Sequence, residues 1–197
     1  MKNYLLSKKS SLKTTTWAGG TTTQLAIFPK DAEYAKFDFD FRISYATVEV
    51  PESTFTFMPG VTRHLTILKG SLQINHIDRY QKQLNKFDTD VFNGEWPTKA
   101  KGQVTDFNLM TRGNTSGKVE TLVLQSNLLH TIPKNGEYTF TAFYLFSGKL
   151  SIKMGSEIIE MDTGDFILFT NGLDNIELHS DTGCEIIVSR VAINTRI

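Results

Sequence analysis

The chain has 197 residues, 40% of them hydrophobic, and its 21 basic and 21 acidic residues balance to a formal net charge of zero. This length provides one ordinary domain or two small ones with a core of their own. The apolar content excludes intrinsic disorder, and the absence of a basic excess argues against a nucleic-acid-binding protein. Cys184 is the only cysteine, so no intrachain disulfide can form.

The N-terminal residues lack an apolar run long enough for a signal peptide. No stretch approaches the ~18 consecutive apolar residues of a membrane span. We therefore expect a cytoplasmic protein that makes no membrane contact.

The first clear element is a strand over residues 37–45. Phe, Ile and Tyr occupy every second position, and Arg42 and Ser44 fall between them on the opposite face. Because successive side chains of a strand point to opposite faces, this pattern predicts one buried apolar face and one polar face.

Two further strand predictions follow it. Residues 54–58 alternate again and stop at a Pro-Gly turn, and we assign Phe55 and Phe57 to the core. Apolar runs at residues 65–68 and 72–77 flank Lys69-Gly70, which predicts a hairpin.

Residues 79 to about 118 are polar, contain four glycines and Pro97, and have few β-branched residues. Connections of this length are usually functional or disordered. Apolar residues within the stretch must pack against something, so we predict an ordered connecting loop that contains short helical or strand pieces.

Strand patterns return after this loop and are separated by glycine turns, one of them at Ser147-Gly148. No amphipathic helix of ten or more residues is indicated, which excludes a doubly wound α/β fold. Short strands at this spacing are typical of all-β sandwiches and barrels. Residues 64–74 resemble residues 142–152, and this weak echo favours a duplicated barrel.

No nucleotide-binding, zinc-protease or serine-hydrolase motif is present. The four histidines are widely separated, and none forms a short-spaced cluster with another histidine or a carboxylate. A bound metal needs three or four nitrogen, oxygen or sulfur ligands. We therefore predict no metal site, no cofactor and no assigned catalytic residue.

Residues 143–150 (FYLFSGKL) have the pattern of a strand, a glycine-containing turn and a second strand. This run resembles the strand–turn–strand that precedes the metal ligands in cupin barrels, although the second half lacks the usual ligands themselves. Residues 161–172 (MDTGDFILFTNG) are similar to the cupin Gly-Asp segment, with Thr170 where that pattern has proline.

The first half contains five distinctive blocks, namely residues 17–25 (WAGGTTTQL), 41–48 (FRISYATV), 55–65 (FTFMPGVTRHL), 92–95 (FNGE) and 105–112 (TDFNLMTR). These blocks resemble those of the HutD/Ves family and occur in the family's order. The resemblance implies an RmlC-like bicupin, with two cupin-type barrels of the double-stranded β-helix or jelly-roll kind. We place the first in residues 1–116, including most of the loop at 79–118, and the second in residues 117–197. It also implies a small-molecule sensor or regulator of histidine utilisation, with N-formylglutamate or a related acid as ligand.

Seven residues of the first half are candidate ligand contacts. Arg42 and Ser44 lie on the polar face of the clearest strand, and a guanidinium there can bind a carboxylate in bidentate fashion. Arg63 follows a Pro-Gly turn and would lie at a barrel mouth. For Arg42 the alternative is a structural salt bridge, and for Arg63 it is a salt bridge or an exposed arginine.

The remaining four candidates each have two interpretations. Asp106, Asn108 and Met110 share one face of an extended segment, where they either line a pocket or tie the loop to the barrel. Trp17 beside Gly19-Gly20 is either a lid or a core residue.

The preferred interpretation is a non-catalytic bicupin that binds a small anionic metabolite. One alternative is a metal-independent isomerase or lyase that uses His64 or Asp106 as acid or base. Another is a scaffold protein whose lumen is filled by phenylalanine. Whether any reaction is catalysed stays open, and a homodimer is compatible with the predicted fold.

Overall fold

The computed structural model describes residues 3–134, 136–170 and 175–194. The first nine strands are β1 (Tyr4–Ser7), β2 (Lys13–Trp17), β3 (Gly20–Phe28), β4 (Phe41–Val48), β5 (Glu52–Thr54), β6 (Val61–Gly70), β7 (Leu72–His76), β8 (Tyr80–Leu84) and β9 (Thr89–Asn93). The others are β10 (Thr98–Lys101), β11 (Val104–Arg112), β12 (Thr115–Leu124), β13 (His130–Ile132), β14 (Phe140–Met154), β15 (Glu157–Asp162), β16 (Phe166–Thr170), β17 (Ile176–His179) and β18 (Cys184–Ile193). Helical structure in these ranges is limited to two 3₁₀ turns, Lys9–Ser11 and Tyr34–Lys36.

The prediction of an all-β protein is confirmed. Within the described ranges, no helix has the length and apolar character needed to cross a membrane. The chain divides into two compact units. The first unit is Lys13–Gly117, joined by Asn194, and the second contains the described residues up to Leu12 together with Lys118–Ile193.

The first unit contains two antiparallel sheets. One has six strands in the order β2-β3-β4-β11-β6-β9, and the other has four in the order β5-β10-β7-β8. A core cluster draws on strands of both sheets. Its buried members are Leu65, Ile67, Leu72, Ile74, Leu84, Phe92, Ala100 and Val104.

The strand predicted over residues 37–45 begins later than expected. Tyr34–Lys36 form a 3₁₀ turn, and Phe37 after it adopts a left-handed conformation with φ of 54°. That backbone cannot belong to a strand, so β4 starts only at Phe41. From there the predicted alternation holds, because Phe41 and Ile43 are fully buried on the face opposite Arg42.

The predicted hairpin at Lys69-Gly70 is wrong. β6 pairs with β9 and β11, whereas β7 pairs with β8 and β10, so the two strands do not pair with each other. Gly70 has φ of 84°, and a Cβ there would lie 2.6 Å from the Gln103 carbonyl oxygen. The glycine thus lets the chain turn from one sheet into the other.

The turn predicted at Ser147-Gly148 is also wrong, because Gly148 lies inside a continuous strand, where its positive φ lets the strand bend. β14 continues through Gly148, whose φ is 92°. Before the glycine β14 pairs with β16 and β18, and after it with β15 and β17. The sequence echo between the halves therefore marks a corner where a strand changes partners.

Residues 79–118, predicted as an ordered connection that contains short helical or strand pieces, consist mostly of strand. β8, β9, β10 and β11 lie within it, and β12 begins there. The first four residues of β8 are exposed, and so is every second residue of β10. These positions are polar, so both sequences lack the apolar, β-branched character that is typical of strands.

Strands β1 and β12–β18 form the antiparallel sheet structure of the second unit. Its core includes Phe143, Leu145, Ile152, Ile167 and Ile186, all fully buried. β1 pairs with β16, so the N-terminal residues belong to this unit rather than to the first half, where the sequence placed them.

The strand paths of the described residues do not close on themselves, and the two-barrel bicupin organisation stays a prediction. Residues 171–172, at the end of the cupin-like segment, and residues 195–197 of the predicted second half lie outside the described residues. Phe57 is 63% exposed, so its assignment to the core is wrong. β5 ends at Thr54, which leaves Phe57 in the irregular segment before β6.

Candidate functional site

The first unit encloses a cavity of about 340 Å³. All seven candidate residues line it, namely Trp17, Arg42, Ser44, Arg63, Asp106, Asn108 and Met110. The volume falls at the lower end of the range that small-molecule sites occupy. An open cavity of this size does not agree with a lumen filled by phenylalanine.

Strand register explains why these side chains meet. On the central strand β11, Met110 stands opposite Arg42 of β4 on one side and opposite Arg63 of β6 on the other. Asn108 stands between Ser44 and Leu65 in the next row. Directly opposed residues of antiparallel strands share a face, so these rows place both arginines on the same side of the sheet.

Arg42 is held by neutral groups. Its Nε donates to the Gln24 side-chain oxygen at 2.9 Å, and its Nη1 donates to the Ser44 hydroxyl at 3.0 Å. The guanidinium carbon lies 4.2 Å from the centre of the Tyr34 ring. Burial lowers the pKa of Arg42, which nevertheless stays a cation near neutral pH.

Arg63 is buried to the same degree as Arg42, but fewer of its hydrogen-bond donors are satisfied. Its Nη2 donates to the Asn108 side-chain oxygen at 3.2 Å, and its Nε is buried without a hydrogen-bond partner. The guanidinium carbon lies 4.6 Å from the Phe55 ring centre and 5.4 Å from that of Phe92. Burial lowers its pKa to about 10.

Neither arginine has an ion-pair partner in the described part of the chain, where no carboxylate lies within 4.0 Å of either guanidinium. The structural salt bridge, which was an alternative for both residues, is therefore absent among these residues. Asp106 interacts with the Arg63 charge without forming an ion pair. A buried charge without a paired opposite charge is costly unless a ligand compensates it.

Asp106 adds a carboxyl group to the same cavity. The Asn108 amide nitrogen donates to its Oδ1, and Asn108 thereby links Asp106 to Arg63. Burial raises the pKa of Asp106 to about 7, although Arg63 and the Asn108 hydrogen bond act in the opposite direction. Near neutral pH the group is thus divided between its neutral and ionised forms.

Three contributors to this site were missed by the sequence interpretation. Gln24 positions Arg42 from the neighbouring strand β3, and a polar residue on its alternating pattern was the only available signal. Tyr34 comes from the 3₁₀ turn, whose sequence gives no indication of a pocket. Phe55, assigned to the core, is half-buried and lines the cavity beneath Arg63.

Trp17 lies at the end of β2, lines the cavity and is 42% exposed. Its exposure does not agree with a core residue. Its role as a lid stays a prediction.

His64 does not line the cavity. It lies between Arg63 and Leu65 on β6, both of which do, so its side chain points to the other face of the sheet. Burial lowers its pKa to about 4, which keeps it neutral at physiological pH. The alternative of an enzyme that uses His64 is therefore not supported, and Asp106 is the remaining candidate for an acid or base.

Across the three described ranges, no group of three or more His, Cys, Asp or Glu side chains could hold a metal ion. The cavity itself contributes a single carboxylate and no histidine. This donor set does not fit a divalent cation.

Comparison with solved structures gives several full-length matches. A conserved protein of unknown function from Pseudomonas aeruginosa PAO1 has a TM-score of 0.81 at 14% identity and covers 98% of this chain and 100% of its own. HutD from Pseudomonas fluorescens SBW25 has a TM-score of 0.75 at 16% identity, with the same coverage of 98% and 100%. Bacillus subtilis oxalate decarboxylase has a TM-score of 0.69 at 7% identity and covers 100% of this chain and 78% of its own. At these identities the likeness shows the fold alone, which is cupin-like.

No protein with a curated description matches this sequence. The HutD family model matches residues 9–188, which is most of the chain and includes all seven candidate residues. The chain therefore belongs to the HutD family.

Proposed function

We propose that this protein binds a small anionic metabolite in the cavity of its first unit, without catalysing a reaction. The observation that carries the proposal is the pair of buried guanidinium groups, Arg42 and Arg63, that face one cavity without a carboxylate partner among the described residues. A bound anion would supply the missing negative charge.

The guanidinium nitrogens of Arg42 and Arg63 that have no hydrogen-bond partner favour a ligand with a carboxylate group. Nη2 of Arg42 and Nη1 of Arg63 donate no hydrogen bond to any described residue. Hydrogen bonds between a guanidinium and a carboxylate are charge-assisted and stronger than neutral ones. Strands β4 and β6 are both neighbours of β11 and so lie about 10 Å apart, which suits an acid with two carboxylates.

N-formylglutamate is the ligand that we propose within this class, as an acidic metabolite of histidine utilisation. Membership of the HutD family supports the assignment. The P. fluorescens HutD structure was obtained in a formate condition, and formate is the smallest carboxylate. The acid has two carboxylates and a polar formamide for Ser44 and Asn108.

A second candidate function is a metal-independent isomerase or lyase reaction on the same acid. It is favoured by Asp106, whose pKa of about 7 suits a general acid or base at neutral pH. Turnover of a bound acid would distinguish this function from binding alone.

The test is a thermal-shift panel of N-formylglutamate, glutarate, urocanate, glutamate and formate. An acid at 100 times its dissociation constant stabilises the folded protein by ~2.7 kcal/mol, which corresponds to a rise in Tm of roughly 5 to 10 °C. Arg42→Met keeps the length and apolar bulk of the side chain but removes the charge. We expect it to weaken binding by at least about tenfold.

The matched control is Arg79→Met, because Arg79 is an exposed arginine that lies over Trp96 and does not line the cavity. This variant should retain the full shift. Absence of a shift with every acid would contradict the proposal, as would an equal shift in Arg42→Met and wild type.

A further inference from the structure

We propose that Asp106 recognises the bound anion as a neutral carboxylic acid, donating a hydrogen bond to it, and that each anion bound takes up one proton. This inference rests on the proposed function, because it concerns the same cavity. It adds a residue that determines specificity and makes binding depend on pH.

Asp106 is placed to reach an anion held by the arginines. It lies on the same face of β11 as Asn108, which contacts both Asp106 and Arg63. Its second oxygen, Oδ2, makes no hydrogen bond to any described residue and remains accessible from the cavity. This oxygen is therefore free to form a hydrogen bond with a ligand in the cavity.

Few charged groups surround this carboxyl. The titratable residues that line the cavity are Arg63 from β6, Arg42 from β4 and Tyr34 from the 3₁₀ turn, besides Asp106 itself. β2, β3 and β5 contribute only neutral side chains, among them Thr15, Thr22 and Ser53. His64 points away from the cavity on the opposite face of β6.

The Arg63 charge and the Asn108 hydrogen bond favour the ionised form of Asp106, and a bound anion would neutralise the influence of Arg63. Arg63 lowers the pKa of Asp106 through its charge, whereas burial raises it to about 7. An anion on Arg42 and Arg63 offsets their positive charge and adds a negative charge of its own. Both changes disfavour the aspartate anion, so the bound state holds a proton that the free state holds only in part.

The sign of the pH dependence follows from this difference. Binding raises the pKa of Asp106, so affinity is highest where the free protein is already protonated and falls as pH rises. With a free-state pKa of about 7, the affinity falls by about 30-fold between pH 6 and pH 8.5. The acids of the panel with two carboxylates are fully ionised above about pH 6.5 and add little to this slope.

The opposite role would give the opposite sign. An ionised Asp106 that accepts a hydrogen bond from an ammonium or amide N–H of the ligand would have its pKa lowered on binding. Protons would then be released, and affinity would rise with pH.

Isothermal titration calorimetry with N-formylglutamate and with glutarate, which has no N–H group, separates these cases. Titrations at pH 8 in triethanolamine and in Tris, two buffers that are not anions and that differ in ionisation enthalpy, give the number of protons exchanged. We expect uptake of about one proton per anion with both acids.

Asp106→Asn and Asp78→Asn are the variants that assign the proton. Asparagine at 106 keeps a neutral side chain with a donor group, so we expect affinity to stay at the low-pH wild-type value from pH 6 to pH 8.5. Asp78 is exposed, lies outside the cavity and has φ of 62°, which asparagine tolerates. Asp78→Asn should therefore retain the 30-fold fall.

The outcomes are distinguishable. Failure of every acid to bind at any pH would overturn the proposed function and this inference with it. Binding that is independent of pH, or proton release on binding, would overturn the role of Asp106 alone. A slope that persists in Asp106→Asn would also overturn it, because another group would then carry the proton.

Discussion

Two buried polar clusters of the first unit differ in how completely their hydrogen bonds are satisfied. The cavity cluster consists of Arg42, Arg63, Asp106 and Asn108, and the His76 cluster consists of His76, Asp90, Thr98 and Tyr80. Every member of both clusters except Tyr80 is less than 9% exposed. Burial alone therefore does not distinguish a binding site from a structural network.

In the His76 cluster, both imidazole nitrogens have hydrogen-bond partners. His76 Nδ1 lies 2.7 Å from the Thr98 hydroxyl and its Nε2 lies 2.9 Å from an Asp90 oxygen. The Tyr80 hydroxyl donates to the same Asp90 carboxylate at 3.2 Å. The rings of Phe92 and Trp96 pack against the imidazole, at centroid distances of 4.5 and 5.5 Å.

The cavity cluster, in contrast, leaves donors and an acceptor without partners. Arg63 Nε is buried and unsatisfied, and Asp106 Oδ2 faces the cavity. A fully satisfied polar network rigidifies the fold, whereas a partly satisfied one is destabilising until something completes it. The difference indicates a structural role for the His76 cluster and supports the proposal that the cavity cluster binds a ligand.

The largest effect is expected from breaking the His76 cluster. His76→Ala leaves the buried Asp90 carboxylate without its imidazole partner and opens a cavity, which should lower the free energy of unfolding by about 3 to 5 kcal/mol. Urea denaturation measures this change. His130→Ala, at an exposed position, is the control and should change it by less than about 0.5 kcal/mol. Equal stability of the two variants would contradict the structural role of His76.

A smaller effect, with a defined pH dependence, is expected at Asp106. Its folded-state pKa is raised to about 7, so the native state holds a proton that the unfolded chain loses near pH 4. The stability contributed by this group is therefore complete below about pH 4 and is lost as pH rises to 7.

Asp106→Asn removes this loss. Without ligand, we expect the variant to exceed wild type in free energy of unfolding at pH 8, by about 2 to 4 kcal/mol, and the advantage to shrink toward pH 4. Urea denaturation of both proteins across this pH range provides the measurement. An advantage that grows toward acid would show that the sign is wrong.

The smallest effect on stability is expected at Arg63, where the effect on binding is large. Arg63→Met removes an uncompensated buried charge and loses contacts with Phe55 and Phe92, and these changes oppose each other. The free energy of unfolding should change by less than about 1 kcal/mol, while the thermal shift with acid disappears. A loss as large as that of His76→Ala would identify Arg63 as a structural cation.

Much of the candidate site could be predicted because it lies on regular strands. Alternation on β4 placed Arg42 and Ser44 on one face, and spacing of two on β11 placed Asp106, Asn108 and Met110 together. These rules depend only on the geometry of a single strand. Register between strands then brought the two sets into one cavity.

The rest depended on long-range packing that a single sequence does not encode in a local pattern. Tyr34 reaches the cavity from a 3₁₀ turn, and Gln24 reaches Arg42 across a strand pair. The sheet corners at Gly70 and Gly148 have the sequence of hairpin turns, because a glycine with positive φ serves both. β8 and β10 were missed since their exposed polar residues are also typical of loops.

The most direct test of the account is a crystal structure of the protein with the acid that gives the largest thermal shift. We expect a carboxylate of this acid within hydrogen-bond distance, roughly 2.7 to 3.2 Å, of Nη2 of Arg42 and Nη1 of Arg63. An acid bound outside the cavity, or one that leaves both guanidinium groups without an anion, would contradict the assignment of this cavity as the binding site.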